Sequence, residues 1–320
     1  MGEFELIRRY FASASCAVPA PGVALGIGDD CALLQLSPGE QLAVSTDSLV
    51  AGVHFPDPCD PALLGQRALA CAASDLAAMG ATPLGFTLAL SLPVADENWL
   101  QGFASGLNEM AGHCGLRLIG GDTTRGPLNI NITVFGRVPA GQALLRSGAR
   151  AGELLCVGGW LGEAAAALPY VLGQRPVENE AARTLCASYW TPRPQLALGQ
   201  ALRGLAGSVQ DISDGLLADA AHIARASGVA LEIDLEQLPL SPALLACLPL
   251  EPARHCALAG GDDYRLLFTL APAHLQPLRE QGFDIQPLGR VRAGQGVSLL
   301  DAEGRPLPLP ASGYEHFART

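Results

Sequence analysis

The spacing of apolar and polar residues predicts a chain that alternates strands with helices. Three segments of the first part have the length and composition of strands: residues 41–46, 86–92 and 129–135. The last of these alternates polar and apolar side chains, as a strand with one buried face does. The leucine and alanine content of residues 86–92 would also suit a buried helix. The segment "LRLIGGD" predicts a further strand that ends in a tight turn at residues 120–122.

Two helices are predicted in the same part. Asp60 followed by Pro61 is a capping residue and a first-turn proline, so we expect a helix from there to Met79, ended by Gly80. A second helix is expected over residues 97–111. The first part therefore alternates strands with two helices.

A comparable alternation begins near residue 150. The segment "GELLCVGG" predicts a strand and a glycine-rich turn that leads into an alanine-rich helix. Residues 208–228 predict strand, turn and helix, with Ser213 or Asp214 capping the helix and Gly228 ending it. Ser241 before Pro242 predicts another helix start.

Similar segments close the two parts, "FGRVPAG" at 135–141 and "LGRVRAG" at 288–294. A chain of 320 residues, 49% hydrophobic and 16% charged, is long and apolar enough for two globular domains. We therefore predict domains at residues 1–138 and 139–320.

The charge of the chain narrows the classes of function. A formal net charge of -11 argues against a general nucleic-acid-binding protein, which needs a basic face. All 20 basic residues are arginine, which excludes a P-loop lysine, a kinase-type strand lysine and a Schiff-base lysine. Any phosphate must then be held by arginine, by backbone N–H groups or by metal.

Cysteines and apolar runs indicate the compartment. Nine cysteines without a CxxC pair predict reduced thiols in a cytoplasmic protein. The N-terminal residues lack the apolar core of a signal peptide. The apolar run 68–95 is interrupted by Asp75, glycines and prolines, so no membrane span is predicted.

Aspartates repeatedly lie close to glycine or to a small polar residue. They are Asp29, Asp30, Asp47, Asp122, Asp211, Asp214, Asp262 and Asp263. Each one alone is more typical of a turn, and Asp214 could simply cap a helix. Together, after apolar segments, they resemble oxygen ligands for hard divalent cations, of which Mg²⁺ takes one or two carboxylates and completes its shell with water and phosphates.

Three aspartates lack a simple structural explanation. Asp75 is the only charged residue between Arg67 and Asp96 and is expected mid-helix without a local partner. Asp29 and Asp30 are adjacent in an apolar stretch, where burial of two like charges is unfavourable. We expect this pair to face Mg²⁺, because several Mg²⁺ ions would neutralise phosphates during phosphoryl transfer.

Few other side chains suggest chemistry. Arg146 is a candidate phosphate ligand, although on the residues alone a surface salt bridge is the default explanation. His54 lies seven residues after Asp47 and could reach a substrate. The remaining histidines show neither zinc spacing nor a Ser/Cys–His arrangement.

Seven motifs in order resemble those of the thiamine-monophosphate kinases. They are "GIGDDCALL", "STDSLVAGVHF", "SDLAAMGA", "LIGGDTTRG", "DISDGL", "GGDDYRLLF" and "GYEHF". The family belongs to the aminoimidazole-ribonucleotide-synthetase-like superfamily of ATP-binding proteins, and the motifs cover nearly the whole chain. Each motif is weak alone, but the ordered set is specific.

The resemblance implies an α+β fold of two domains in a cytoplasmic homodimer. The N-terminal domain would bind ATP and Mg²⁺ and form a β-barrel-like dimer interface, and a C-terminal α/β sandwich would complete the active site. The reaction would convert thiamine monophosphate and ATP to thiamine diphosphate and ADP by direct in-line transfer, without a protein nucleophile. Neither a nucleic acid nor a membrane would be a partner.

The resemblance also assigns roles by motif position. The implied ligands of several Mg²⁺ ions are Asp30, Ser45, Thr46, Asp47, Asp75, Asp122, Asp211 and Asp214. The implied ATP-binding residues are Gly121, Asp122, Arg146 and Ser213. The implied contacts to thiamine monophosphate are His54, Asp262 and Tyr314.

Two positions depart from the family pattern. Asp262 stands where the family usually has glutamate, and Arg265 stands where an acidic or amide residue is more usual. The alternatives are another ATP-dependent phosphotransferase of the superfamily, such as a selenophosphate or aminoimidazole ribonucleotide synthetase, and a non-catalytic divalent-cation-binding protein. The absence of lysine disfavours the selenophosphate enzyme, which typically uses one near its reactive cysteine.

Overall fold

The computed structural model describes residues 3–18 and 20–310 and divides into two compact units. The segments of the first unit are those up to Leu76 and Ala81–Ala143, and those of the second are Ala77–Gly80 and Leu144 onwards. Helices and strands alternate in both units, which confirms the predicted α+β class.

The first unit is built on a four-stranded mixed sheet. The strands of the whole unit are β1 (Val23–Leu25), β2 (Leu33–Leu34), β3 (Glu40–Val50), β4 (Thr82–Leu92), β5 (Arg117–Arg125) and β6 (Asn129–Pro139). The sheet has the order β3-β6-β4-β5, and β1 pairs separately with β2. Strands β4 and β5 are parallel, and the other neighbours in the sheet are antiparallel. Strand β3 is first in the strand order and therefore lies at an edge of the sheet.

The helices of this unit include the two predicted ones, which begin at Pro61 and Glu97 as expected. They are α1 (Glu3–Leu6), which continues as a π-helix (Ile7–Ala12), α2 (Pro61–Ala78) and α3 (Glu97–Cys114), with a 3₁₀ turn at Ser15–Ala17. Asp60 Oδ1 accepts a hydrogen bond from Ala62 N at 2.8 Å, as the capping prediction requires. Helix α3 extends beyond residue 111 and ends at Gly115, whose φ is 68°.

The tight turn predicted at residues 120–122 is wrong. Strand β5 continues through Gly120, Gly121 and Asp122 because the segment pairs in parallel with residues 87–89 of β4. Gly121 has a φ of 151°, and a Cβ there would lie 2.0 Å from Leu88 O. The glycine is therefore needed for close approach of two strands, not for a turn.

The second unit contains a larger sheet with helices. Its strands are β7 (Leu154–Val157), β8 (Ala206–Asp211), β9 (Ala230–Asp234), β10 (Leu266–Leu270), β11 (Gln286–Arg292), β12 (Gly296–Leu300) and β13 (Pro306–Leu307). Its helices are α4 (Glu163–Val171), α5 (Glu180–Trp190), α6 (Leu196–Leu202), α7 (Leu216–Ser227), α8 (Pro242–Cys247), α9 (Leu250–Ala259) and α10 (Pro272–Glu280), with a 3₁₀ turn at Leu235–Gln237. The sheet order is β13-β12-β9-β11-β7-β10-β8, antiparallel except for β12 beside β9.

Helix α7 is central to the core of the second unit. Its apolar residues Leu216, Ala220 and Ile223 are fully buried and cluster with Leu155 of β7 and Leu231 of β9. This packing explains why the predicted strand-turn-helix pattern forms here. Burial of one such aliphatic side chain contributes about 1.5–3 kcal/mol.

The predicted cap of α7 is wrong. The residue that precedes the helix is Gly215, and neither Ser213 nor Asp214 caps it with a side chain. The polar groups of this loop are instead bound by Asp219, from inside the helix.

Two further predictions concern thiols and membranes. All nine cysteines lie among the described residues and none forms a disulfide, and Cys16, Cys71, Cys114 and Cys156 are buried. Among the described residues, no helix is both long and apolar enough to cross a membrane.

Candidate functional site

A cavity of about 840 Å³ in the first unit brings two predicted ligands together. Asp29 and Asp30 line it from the loop between β1 and β2, and Gly121 and Asp122 line it from β5. The expected burial of the adjacent pair is wrong, because Asp29 and Asp30 are both exposed. Asp30 and Asp122 can therefore present carboxylates to a bound anion only if a cation lies between them.

A second acidic group lies where β3 faces α2. Ser45 Oγ donates a hydrogen bond to Asp75 Oδ2, so the mid-helix aspartate has a partner 30 residues away in sequence. The pKa of Asp47 is raised to about 6, first by burial and then by the negative charge of Asp75. The structure thus places Ser45, Asp47 and Asp75 together.

Thr46 does not join this group through its side chain. Successive side chains of a strand point to opposite faces. The Thr46 hydroxyl meets the Thr133 hydroxyl of β6 at 2.6 Å, while Ser45 and Asp47 share the other face. Any contact of Thr46 with a cation at Asp47 is left to its main chain.

The donor set of the first unit fits Mg²⁺. Asp47 and Asp75 repel each other, and both offer hard oxygen atoms, the ligand type that Mg²⁺ prefers. No three His, Cys, Asp or Glu side chains within residues 3–18 and 20–310 form a complete metal site. Mg²⁺ typically takes one or two carboxylates from a protein and completes its shell with water and phosphate oxygens.

His54 is held in one tautomer. Its Nδ1 accepts a hydrogen bond from Val50 N at 3.0 Å, so the proton of the neutral ring is on Nε2. The ring is half-buried in the turn after β3. Nε2 is thus the ring atom that can donate a hydrogen bond to a ligand.

In the second unit, the end of β8 carries Asp211, and the loop between β8 and α7 carries Ser213 and Asp214. Asp211 is buried at the end of β8, Ser213 is half-buried and Asp214 is exposed. Asp219 Oδ2 accepts hydrogen bonds from Ser213 N at 3.0 Å and Asp214 N at 3.1 Å. Burial raises the pKa of Asp219 to about 6 against the lowering effect of these N–H groups.

The segment that contains Asp262 is bound to this loop. Asp262 N donates to Ser213 O at 2.9 Å, and Tyr264 N donates to Ile212 O at 2.8 Å. Asp262 and Tyr264 have φ values of 69° and 48°, a region that non-glycine residues rarely adopt. The Tyr264 hydroxyl donates to Asp262 Oδ1 at 3.1 Å and helps to orient this shorter acid. Ser213 and Asp262 are therefore brought together.

Between these two strained residues lies Asp263, a buried acid whose importance the sequence did not reveal. Both of its carboxylate oxygens accept from Gly162 N at 3.0 Å, at the start of α4. Burial raises its pKa to about 8, only partly offset by the Gly162 N–H and by Arg265. Arg265, the other departure from the family pattern, thus lies where its charge acts on Asp263.

The remaining predicted residues are less informative. Arg146 is exposed, and its carbonyl accepts a hydrogen bond from Ser227 Oγ at 3.1 Å. Its positive charge adds to burial in lowering the pKa of His222. Tyr314 lies outside the described residues.

Sequence reasoning missed Asp219, although a signal was present. The segment "GLLADAA" at the start of α7 is apolar apart from its aspartate, and that aspartate is 1% exposed. A buried acid near a helix start commonly accepts backbone N–H groups from the preceding loop. Asp263 gave no comparable signal, because adjacent aspartates after glycine are typical of turns.

Comparison with known proteins gives a consistent relationship. Two family models match, "AIR synthase related protein, N-terminal domain" over residues 28–138 and its C-terminal counterpart over residues 181–301. The thiamine-monophosphate kinase of Escherichia coli K12 is 44% identical over 99% of this chain and 98% of its own length.

Solved structures agree with this relationship. A thiamine-monophosphate kinase from Stenotrophomonas maltophilia superposes with a TM-score of 0.87 at 42% identity, over 96% of this chain and 98% of that one. AaThiL, "complexed with AMPPCP and TMP", has a TM-score of 0.79 at 31% identity, over 91% of this chain and 92% of that one. From its motifs, its fold and this near-complete match, the chain belongs to the thiamine-monophosphate kinase family of the AIR-synthase-related proteins.

Proposed function

We propose that the protein transfers the γ-phosphoryl group of ATP to thiamine monophosphate, giving thiamine diphosphate and ADP. The observation that carries this proposal is 44% identity to a thiamine-monophosphate kinase along 99% of the chain. AMPPCP and TMP, the ligands named for AaThiL, correspond to an analogue of the donor and to the acceptor of this reaction.

The acceptor determines what the protein must supply. A phosphate monoester is already anionic near neutral pH, so its oxygen can attack phosphorus without a general base. A P–O bond forms between the γ-phosphorus of ATP and a phosphate oxygen of thiamine monophosphate, and the P–O bond to ADP breaks. The main obstacle is mutual repulsion of two anionic phosphates in a protein of net charge -11. We therefore expect direct in-line transfer without a phosphoenzyme.

Mg²⁺ would neutralise phosphate charge and align the two substrates. The proposed ligands remain Asp30, Ser45, Thr46, Asp47, Asp75, Asp122, Asp211 and Asp214. The facing carboxylates of Asp47 and Asp75, and those of Asp30 and Asp122 in one cavity, support this assignment. Ser45 and Thr46 would contribute chiefly through main-chain oxygen, since their hydroxyls have protein partners.

The other roles follow the family motifs. Gly121, Asp122, Arg146 and Ser213 are proposed to bind ATP, and His54, Asp262 and Tyr314 to bind thiamine monophosphate. Asp262 is one methylene shorter than the usual glutamate, and its hydrogen bond from Tyr264 gives the shorter acid a defined direction. Residues 1–138 would bind ATP and Mg²⁺ and dimerise, and residues 139–320 would complete the active site.

The first unit offers a surface for the proposed homodimer. Strand β3 is 11 residues long and lies at a sheet edge, where unpaired N–H and C=O groups favour pairing with another strand. Its Leu42 and Val44 side chains are 43% and 54% exposed. Pairing of two such sheets would give the barrel-like interface that the family resemblance implies, in a cytoplasmic enzyme.

An end-point assay separates the candidate functions. The protein is incubated with ATP and Mg²⁺, and with thiamine monophosphate, thiamine or no acceptor, and the products are separated by anion exchange. Thiamine diphosphate and ADP should appear together only with the monophosphate. ADP without thiamine diphosphate would indicate another phosphotransferase of the superfamily, and no ADP from folded protein would favour the non-catalytic cation-binding alternative.

A further inference from the structure

The side chain of Asp219 is buried, and the hydrogen bonds of its carboxylate go to residues that precede its own helix. Asp219 is the fourth residue of α7 and is 1% exposed. Oδ2 accepts from the consecutive amides of Ser213 and Asp214, and Oδ1 accepts from Gln210 Nε2 at 2.6 Å. The carboxylate therefore binds both the end of β8, through Gln210, and the loop that joins β8 to α7.

No side chain of this loop caps the helix that follows it. Gly215, with a φ of 115°, precedes the helix and offers no side chain as a cap. Two adjacent N–H groups that point at one carboxylate oxygen form a charge-assisted bifurcated contact, stronger than neutral hydrogen bonds. Without it, both amides would need water or a different loop conformation.

The same loop is bonded to the Asp262 segment. Asp262 N donates to Ser213 O, and Ser213 N donates to Asp219 Oδ2. Ser213 is therefore bonded to both Asp262 and Asp219. A displacement of Ser213 would therefore move the anchor of Asp262. The strained φ of Asp262 requires such an anchor, since the isolated residue would relax to another conformation.

We propose that Asp219 is a positioning residue that aligns Ser213 and Asp214, on the ATP and Mg²⁺ side, and through Ser213 also aligns Asp262, on the thiamine monophosphate side. The inference rests on the proposed function, because the roles of these three residues come from it. Asp219 touches neither substrate in this view. Its effect is on the geometry of the groups that do.

Two substitutions separate the hydrogen bonds from the volume of the side chain. Asp219→Leu keeps branching at Cγ and suits the surrounding apolar cluster, but accepts no hydrogen bond. Asp219→Asn keeps one oxygen for Ser213 N and Asp214 N. Gln210 Oε1 has no hydrogen-bond partner within the described part of the chain, so a flipped Gln210 amide can accept from the new Asn amide.

The chain offers a matched control in Asp301. Its Oδ1 also accepts two backbone amides, Glu303 N at 3.0 Å and Arg305 N at 2.8 Å. This turn joins β12 to β13 and carries no proposed ligand. Asp301→Leu therefore reproduces the loss of a carboxylate from two amides at a place where the reaction should not respond.

The readouts are steady-state kinetics and amide hydrogen exchange of the full chain. Asp219→Leu should lower kcat/KM for both ATP and thiamine monophosphate by roughly 10- to 100-fold, as loss of a supporting contact behind a ligand does. Asp219→Asn should recover most of this loss, and Asp301→Leu should leave both values unchanged. Exchange at Ser213 and Asp214 should accelerate in Asp219→Leu alone.

A purely structural role predicts a different pattern. Asp219→Leu would then lower the unfolding temperature but leave kcat/KM per folded molecule unchanged for both substrates, which would overturn the proposal. So would unchanged exchange at Ser213 and Asp214. If the wild-type protein makes no thiamine diphosphate, the proposed function fails, and the exchange experiment still decides whether Asp219 holds this loop.

Discussion

A methyl group added to α3 should test how closely α3 and α2, the helix that carries Asp75, must approach each other. In the structure, a Cβ added to Gly106 would lie 1.8 Å from Ala62 O and 2.6 Å from Ala62 C. Gly65 faces α3 in the same way, with its virtual Cβ 2.4 Å from Phe103 O. Helices α2 and α3 therefore touch backbone to backbone, and α2 carries Asp75.

The magnitude of Gly106→Ala follows from two opposing effects. Alanine in a helix interior is favoured over glycine by about 1 kcal/mol. Against this, real Cβ contacts below 3.0 Å essentially never occur, so the 1.8 Å contact requires a shift of about 1.2 Å, the difference between the two. Such overpacking costs roughly 1–3 kcal/mol, and the contact is with backbone that cannot rotate away, so after the gain in helix propensity we expect net destabilisation of up to about 2 kcal/mol.

The assay compares two glycines of one helix. Gly112 also lies in α3, but its added Cβ meets nothing within 4 Å. Gly112→Ala should therefore raise the free energy of unfolding by up to about 1 kcal/mol, measured by chemical denaturation. Gly106→Ala should lower it and should also lower turnover, since α2 moves relative to the Ser45 hydroxyl that binds Asp75. If Gly106→Ala is as stable as Gly112→Ala, the inferred close contact is wrong.

Three further predictions follow from the acids of the site and from the reaction. The pKa of Asp263 is about 8 in the folded protein, against an ordinary value of 3.8. Its protonated side chain therefore contributes its full stabilisation below about pH 4, and this stabilisation is lost as the pH rises to 8. Asp263→Asn, neutral at every pH, should remove a slope of at most about 1.4 kcal/mol per pH unit between roughly pH 5 and 8, and identical denaturation curves for both proteins would contradict the assignment. Asp30→Asn and Asp122→Asn should each lower turnover at least about 100-fold with unchanged unfolding temperature, and near-normal rates in both would remove the metal assignment. Incubation with γ-labelled ATP and denaturation should leave no label on protein, whereas a labelled chain would show that transfer is not direct.

Local signals predicted the elements that local forces determine. The start of α2 at Pro61 and the buried face of β6 followed from a cap and from alternation, because both involve neighbours in sequence. The strand character of Gly121 and Asp122 did not follow, since it depends on parallel pairing with β4 across a connection that contains α3. Glycine and aspartate are poor strand formers, and the partner strand overrides their preference.

The candidate site shows the same division. Family motifs identified the acids, but not the partners that give them geometry. Ser45 binds Asp75 from another element, and Asp219 binds a loop that precedes its own helix. The Ser45 contact depends on how α2 packs against β3, which no spacing in the sequence indicates, whereas the Asp219 contact is local and its apolar surroundings gave a signal.

The two faces of β3 give one strand two tasks. Leu42 and Val44 present apolar side chains outward, while Ser45 and Asp47 turn to the opposite face, toward Asp75. If a second copy pairs along this edge, it stiffens the same backbone that orients the cation ligands. Specific activity would then fall on dilution below the dimer dissociation constant, while saturating substrate, by ordering the strand, would hold the two copies together.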